Sequence, residues 1–190
     1  PPRLFVHRPN ISYDNDGTHS PEAFKKCAMQ VHIAVPQQHI WRVASTFPGI
    51  TPAHDVFAAF NDNGSKRREL VNDLANNNRF LNFFVAWGSA SGFIIDKTQP
   101  LPHRGLYYEH IRCSNSSVSC CGANPDCLRT SEILSLGTCL ITDYAGWKDD
   151  DGSDPLIDGE TCLRYETPDQ CVEKCRWVIS HPDKAREIGA

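Results

Sequence analysis

Two stretches carry residue types that could hold an anionic ligand. The first is Asn61 to Arg68, NDNGSKRR, a polar turn that opens a predicted helix. Backbone N–H groups at a helix N-terminus beside a glycine, here Gly64, favour a phosphate. Lys66, Arg67 and Arg68 add charge-assisted donors. The spacing is that of neither GxxxxGK[ST] nor GxGxxG, and a solvated basic first turn would read the same way. The second stretch is the Gly122 loop leading to Arg129, Thr130 and Glu132. A carboxylate here can accept two hydrogen bonds from vicinal hydroxyls, as a ribose presents them, and an arginine can clamp a diphosphate. A helix-start carboxylate favoured by the helix dipole is the alternative.

The elements needed to position these residues are legible around them. Arg129 to Asp143, RTSEILSLGTCLITD, reads as a helix with Glu132 in its first turn, a stop at Gly137 and a buried strand over 138–142. Upstream, His54 to Phe60 is a strand and Lys66 to Ala75 a helix with Leu70, Val71 and Leu74 on one face. Arg79 to Trp87 is an aromatic strand, and Gly88 to Gln99 a loop with an apolar patch at 93–95. Pro102 to Cys113 is a short helix and Ser116 to Cys121 a strand. Downstream, Tyr144 to Glu160 is a long polar stretch and Thr161 to Arg164 a short strand. Thr167-Pro168-Asp169-Gln170 is a capping box opening a helix to about Ser180, with Cys171, Val172, Cys175, Val178 and Ile179 on its apolar face. A last helix spans about Asp183 to Ile188. Strands alternating with helices predict a parallel sheet covered on both faces, with ligands outside the carboxyl ends of its strands.

The first 35 residues read as strand, loop, helix and strand: Arg3 to His7, a helix from Ser20-Pro21 to about Met29, then Gln30 to Val35. Residues 1–44 are expected to be the tail of an N-terminal α/β domain, 45–53 a linker, and 54–190 the main α/β domain. Pro1-Pro2 carries no charged-then-apolar leader pattern, and we expect the chain to be a piece of something longer.

The totals exclude several classes. Of 190 residues, 40% are hydrophobic and 22% charged, as in a soluble globular protein. No run approaches the roughly 18 apolar residues of a membrane helix. A net charge of −4 and a pI near 6.1 argue against a general nucleic-acid surface. Nine cysteines, an odd count, do not read as a disulfide framework. Cys113, Cys120, Cys121 and Cys127 lack zinc-site spacing, and buried thiols are the plain reading, with a Cys120–Cys127 or Cys113–Cys121 bridge as the minority one. A cytoplasmic setting is favoured over a secretory one. Asn10, Asn63 and Asn115 head N-x-S sequons, a pattern common by chance. His54, His103 and His110 read as structural or solvated, and Asp149 to Asp151 as a solvated loop rather than a metal site.

CSNSSVSCCGANPDCLRTSEILSLGTCLITDYAGW, then DGETCLRY, then ETPDQCVEKCRWVISHPDKAREIGA, together resemble the C-terminal half of GT-B glycosyltransferases of the "glycosyl transferases group 1" type. The likeness covers roughly Asp55 to Ala190. It implies a Rossmann-like parallel sheet with helices on both faces, plus a small N-terminal α/β remnant. It also implies a nucleotide diphospho-sugar donor, used without a metal or other cofactor, and a glycan, lipid or protein acceptor. Glu132 would hold the donor ribose. Arg129 and the turn from Gly64 to Arg68 would lie near the diphosphate, Gly137 would allow close packing behind the site, and Asp143 to Trp147 would line the sugar end. Retaining members often carry a second glutamate eight residues before the ribose one; that position holds Asn124 here. A binding module that has lost turnover is therefore the rival reading. A flavodoxin-like or response-regulator domain would need an acidic cluster where NDNGSKRR is basic.

Overall fold

The computed structural model describes residues 53–62, 64–77, 82–121, 128–143, 154 and 156–190. The expected N-terminal piece and linker over 1–52, the Gly122 loop, Tyr144 to Trp147 and the Asp149 to Asp151 run lie outside them.

Apolar β-rich segments form a parallel sheet. The strands are β1 (His54–Asn61), β2 (Phe83–Gly88), β3 (Gln99–Pro100), β4 (Ser114–Ser119), β5 (Cys139–Thr142) and β6 (Leu163–Arg164). Their order across the sheet is β3-β2-β1-β4-β5-β6, with every pair parallel. The order reverses between β1 and β4. At such a switch point the connections leave in opposite directions and open a crevice at the carboxyl ends of the strands.

The helices are α1 (Ser65–Asn77), α2 (Arg104–Arg112), α3 (Leu128–Ser135), α4 (Pro168–Ser180) and α5 (Pro182–Gly189). Strand side chains alternate between faces, and β1 makes the two layers plain. Val56, Ala58 and Phe60 pack with Leu70, Val71 and Leu74 of α1 and with Cys171, Cys175 and Val178 of α4. Phe57 and Ala59 face the other way, onto Tyr108 and Ile111 of α2 and Ile133 of α3. The sheet is thus Rossmann-like and covered on both sides.

Local signals hold where side chains act on their own backbone. Thr167 caps α4 in a reciprocal box with Gln170, and Pro168 opens the helix. The described cysteines, Cys113, Cys120, Cys121, Cys139, Cys162, Cys171 and Cys175, are free thiols, and most of them are buried. The strand β3 is a departure, because Gln99 and Pro100 carry no β-pattern and lay within the predicted loop or beside it. Proline is admissible there because the strand sits on the sheet edge.

Gly137 departs from expectation in another way. It ends α3 at φ +67°, a left-handed conformation that favours glycine. However, it precedes the amino end of β5, so it lies opposite the ligand edge and packs nothing behind the site. The close approach belongs to Gly189, where a Cβ would fall 2.7 Å from the Cys139 nitrogen and 2.8 Å from the Thr138 carbonyl carbon. Gly189→Ala is expected to push α5 off β5 at a cost of about 1–3 kcal/mol; a melting temperature equal to wild type would refute that close packing.

The amino edge holds an aromatic group of its own. The His110 ring stacks on Phe84 at 4.3 Å and Phe57 at 5.4 Å, and His54 lies 5.4 Å from it. Burial lowers the pKa of both histidines below the usual 6.5, against the raising influence of Asn82 and Asp55 on His54 and of Glu109 on His110. A histidine whose folded pKa is depressed binds fewer protons folded than unfolded, so stability falls as pH drops below 6.5. Melting scans from about pH 8 to about pH 5 should show this loss, and His110→Phe should flatten it. An unchanged slope in that variant would refute the attribution.

Candidate functional site at the switch point

The carboxyl ends of β1, β4 and β5 converge on the turn that opens α1. Gly64 takes φ +105° there, with open space around it, so glycine is required by the backbone rather than by crowding. The turn delivers three cations, and each meets a different partner.

Arg67 lies across the switch point. Its Nη2 donates to the Cys120 carbonyl at 3.2 Å and its Nη1 to the Asn61 carbonyl at 3.4 Å, so one guanidinium bridges the ends of β4 and β1. The residue is 8% exposed, and its Nε has no hydrogen-bond partner. Lys66 reaches over β5, 2.7 Å from Asp143. The Asp143 side chain is 2% exposed and also accepts from the Cys121 amide at 2.7 Å. Burial alone would raise its pKa; Lys66 and the Cys121 amide outweigh that and hold it below the usual carboxylate range. Arg68 turns the other way. It forms a two-pronged pair with Asp62, both contacts 2.9 Å, and its guanidinium lies 4.4 Å over the Phe93 ring. Arg68 therefore secures the loop after β2 and stands apart from the switch point.

The second stretch arrives from α3. The Arg129 guanidinium lies 4.4 Å over the Phe60 ring, and that of Arg67 lies 5.9 Å from the same ring. Two cations thus share one aromatic platform at the end of β1. Arg129 Nε and Nη1 are buried without a hydrogen-bond partner, which leaves unused donor capacity beside this ring. Thr130 is 1% exposed, and its hydroxyl lies 3.0 Å from that of Ser119, which ties α3 to β4. Glu132 is the fifth residue of α3 rather than a first-turn residue, and it is 7% exposed. The turn residues and Glu132 belong to elements that meet at one edge of the sheet.

Sequence reasoning missed two residues here. The Tyr108 hydroxyl donates to Glu132 Oε1 at 2.9 Å. Tyr107 interacts through its hydroxyl with both Arg129 and Glu132, and burial raises its pKa above the usual phenol value. Both tyrosines sit in the first turn and a half of α2, which starts at the carboxyl edge. The available signal was the pair of adjacent aromatics each carrying a polar tip, on a helix preceding a strand of the same sheet.

Cys120 and Cys121 also stand at this edge. Burial pushes their thiols up to about 11 and about 12, with Asp143 adding to both shifts. Shifts in this direction favour the thiol over the thiolate, the form that attacks. The site's chemistry is therefore that of fixed cations, two carboxylates (Asp143 and Glu132) and backbone groups beside an apolar ring, suited to gripping an anion joined to a hydroxyl-bearing group. Among the described residues no group of three or more His, Cys, Asp or Glu side chains is arranged to hold a metal ion. No described helix is long and apolar enough to cross a membrane.

The glycosyl transferase-like family model matches residues 67–190. No match is found among curated protein sequences. Among solved structures the chain is similar to a mutant of S. aureus TarM in complex with fondaparinux, alpha-GlcNAc-glycerol and UDP. The TM-score is 0.55 at 12% identity, over 93% of this chain and 43% of that one. A second TarM crystal structure gives 0.51 at 14% identity, over 96% and 43%. The chain spans less than half the length of these structures, and at such identities the likeness is one of fold.

Proposed function

Because the chain belongs to the glycosyl transferase-like family, we propose that its switch-point edge is the donor site of a GT-B glycosyltransferase, which takes a sugar from a nucleotide diphospho-sugar and passes it to an acceptor. One observation carries this reading. Arg67 and Arg129 meet over Phe60, and Glu132 stands on the same helix as Arg129. The diphosphate would lie on the two guanidiniums, and the ribose hydroxyls would donate to Glu132. Lys66 would be held by Asp143 at the sugar end.

In this reading the protein's part in the reaction is electrostatic. As the bond to the sugar breaks, negative charge gathers on the departing nucleoside diphosphate. Cations fixed before the reaction stabilise that charge without reorganising. The Arg67 bridge to two strand ends and the place of Arg129 over the Phe60 ring are what would fix them. The nucleotide diphospho-sugar is a substrate, and no further cofactor enters the scheme. The acceptor is a glycan, lipid or protein. The free thiols of the described cysteines fit a reducing, cytoplasmic setting.

A binding module without turnover is the second reading, favoured by Asn124 where retaining relatives often carry a glutamate. A panel of UDP- and GDP-sugars, assayed for both binding and loss of the sugar, separates the two. Binding with release of the nucleoside diphosphate supports the enzyme. Binding without any release supports the module, and no binding of either nucleotide contradicts both.

A further inference from the structure

A carboxylate with only 7% of its surface exposed must have its charge met by donors, or folding would not tolerate it. For Glu132 one of those donors comes from a different helix. The Tyr108 hydroxyl lies 2.9 Å from Oε1, and Tyr108 is itself 2% exposed. A phenol donating to a buried carboxylate fixes which oxygen it holds and hence where the other one points. A glutamate on a helix otherwise has three side-chain torsions to choose among.

The contacts around α3 serve the same end. Thr130 is held by Ser119, whose own carbonyl accepts from the Tyr165 hydroxyl at 2.9 Å. The backbone carrying Glu132 is thus anchored to β4 through hydroxyls, and its carboxylate is anchored to α2 through Tyr108. Tyr107 adds a link between Arg129 and Glu132.

We propose that Tyr108 is the positioning residue for Glu132: its hydroxyl orients the carboxylate so that the remaining acceptor capacity faces the ribose of a bound nucleotide. Tyr108 does not touch the ligand; it sets the protein's preference for a sugar with vicinal hydroxyls. This rests on the donor-site reading given above.

The test compares UDP with 2′,3′-dideoxy-UDP, with inorganic pyrophosphate as a probe of the cation side alone. Wild type should bind UDP more tightly than the dideoxy analogue by roughly tenfold or more. Tyr108→Phe should reduce that ratio several-fold and leave pyrophosphate binding unchanged, which also reports that the fold is intact. A ratio kept at the wild-type value in Tyr108→Phe overturns the inference and leaves the donor site standing. A wild-type protein that cannot tell the two nucleotides apart overturns the donor-site reading and the inference with it. Glu132→Gln gives a second readout. If Tyr108 acts through Glu132, adding Tyr108→Phe to Glu132→Gln lowers UDP affinity no further; a full additive loss overturns the proposal.

Discussion

Glu132→Ala is expected to weaken binding of UDP or GDP by roughly 10- to 100-fold, the range for losing hydrogen bonds to a charged group. Two hydroxyls of the ribose would lose their acceptor, and no neighbouring carboxylate stands on α3 to replace it. The fold should survive. Removing the carboxylate leaves the Tyr108 hydroxyl without its acceptor, but it also removes the burden of keeping a charge buried, so the two effects on stability oppose each other. A melting temperature within several degrees of wild type is therefore expected. Calorimetry showing unchanged nucleotide affinity would remove Glu132 from the site.

Arg129→Ala should cost as much or more, and the loss should fall on the diphosphate. Its guanidinium centre lies 4.4 Å over the Phe60 ring, and Nε and Nη1 are buried without a hydrogen-bond partner. Losing a fixed, desolvated cation opposite a diphosphate is worth about 2–4 kcal/mol, or roughly 30- to 1000-fold in affinity. Arg129→Lys should rescue little of this, because a compact, strongly hydrated ammonium does not reproduce a planar, delocalised guanidinium over an aromatic ring. The salt dependence of binding should also become shallower in Arg129→Ala than in wild type. Full rescue by lysine would mean that only charge matters at this position, contrary to a role for the guanidinium over Phe60.

These two expectations depend on tertiary pairing, and that is where the sequence was least legible. The sheet was readable because its signals are local. An apolar run such as Phe83 to Trp87 can only be buried, Thr167 to Gln170 closes its own box, and Gly137 can take a positive φ. From those came the alternation of strands and helices and the parallel sheet they build. The cations of the 64–68 turn were readable as charges, but their partners were not. Asp143 is 77 positions from Lys66, and the Cys120 carbonyl is 53 from Arg67. Only the fold reveals that Arg68 is engaged by Asp62 and Phe93 while Arg67 bridges two strands.

Glu132 illustrates the same limit from the other side. Its position in the middle of α3 does not say how deep it sits, and its depth is what makes a partner necessary. Tyr108 supplies that partner from an element that precedes β4, and nothing in the spacing of the tyrosines names the glutamate. The strand β3 was missed for a different reason. Its two residues gain their pairing from β2 and from nothing in their own side chains.

A crystal structure of the protein with UDP bound tests the central claim most directly. The account predicts the diphosphate over Phe60 between the Arg67 and Arg129 guanidiniums, with the ribose hydroxyls on the Glu132 carboxylate. Density for UDP anywhere else, or a ribose turned away from Glu132 with its phosphates off both arginines, would contradict it.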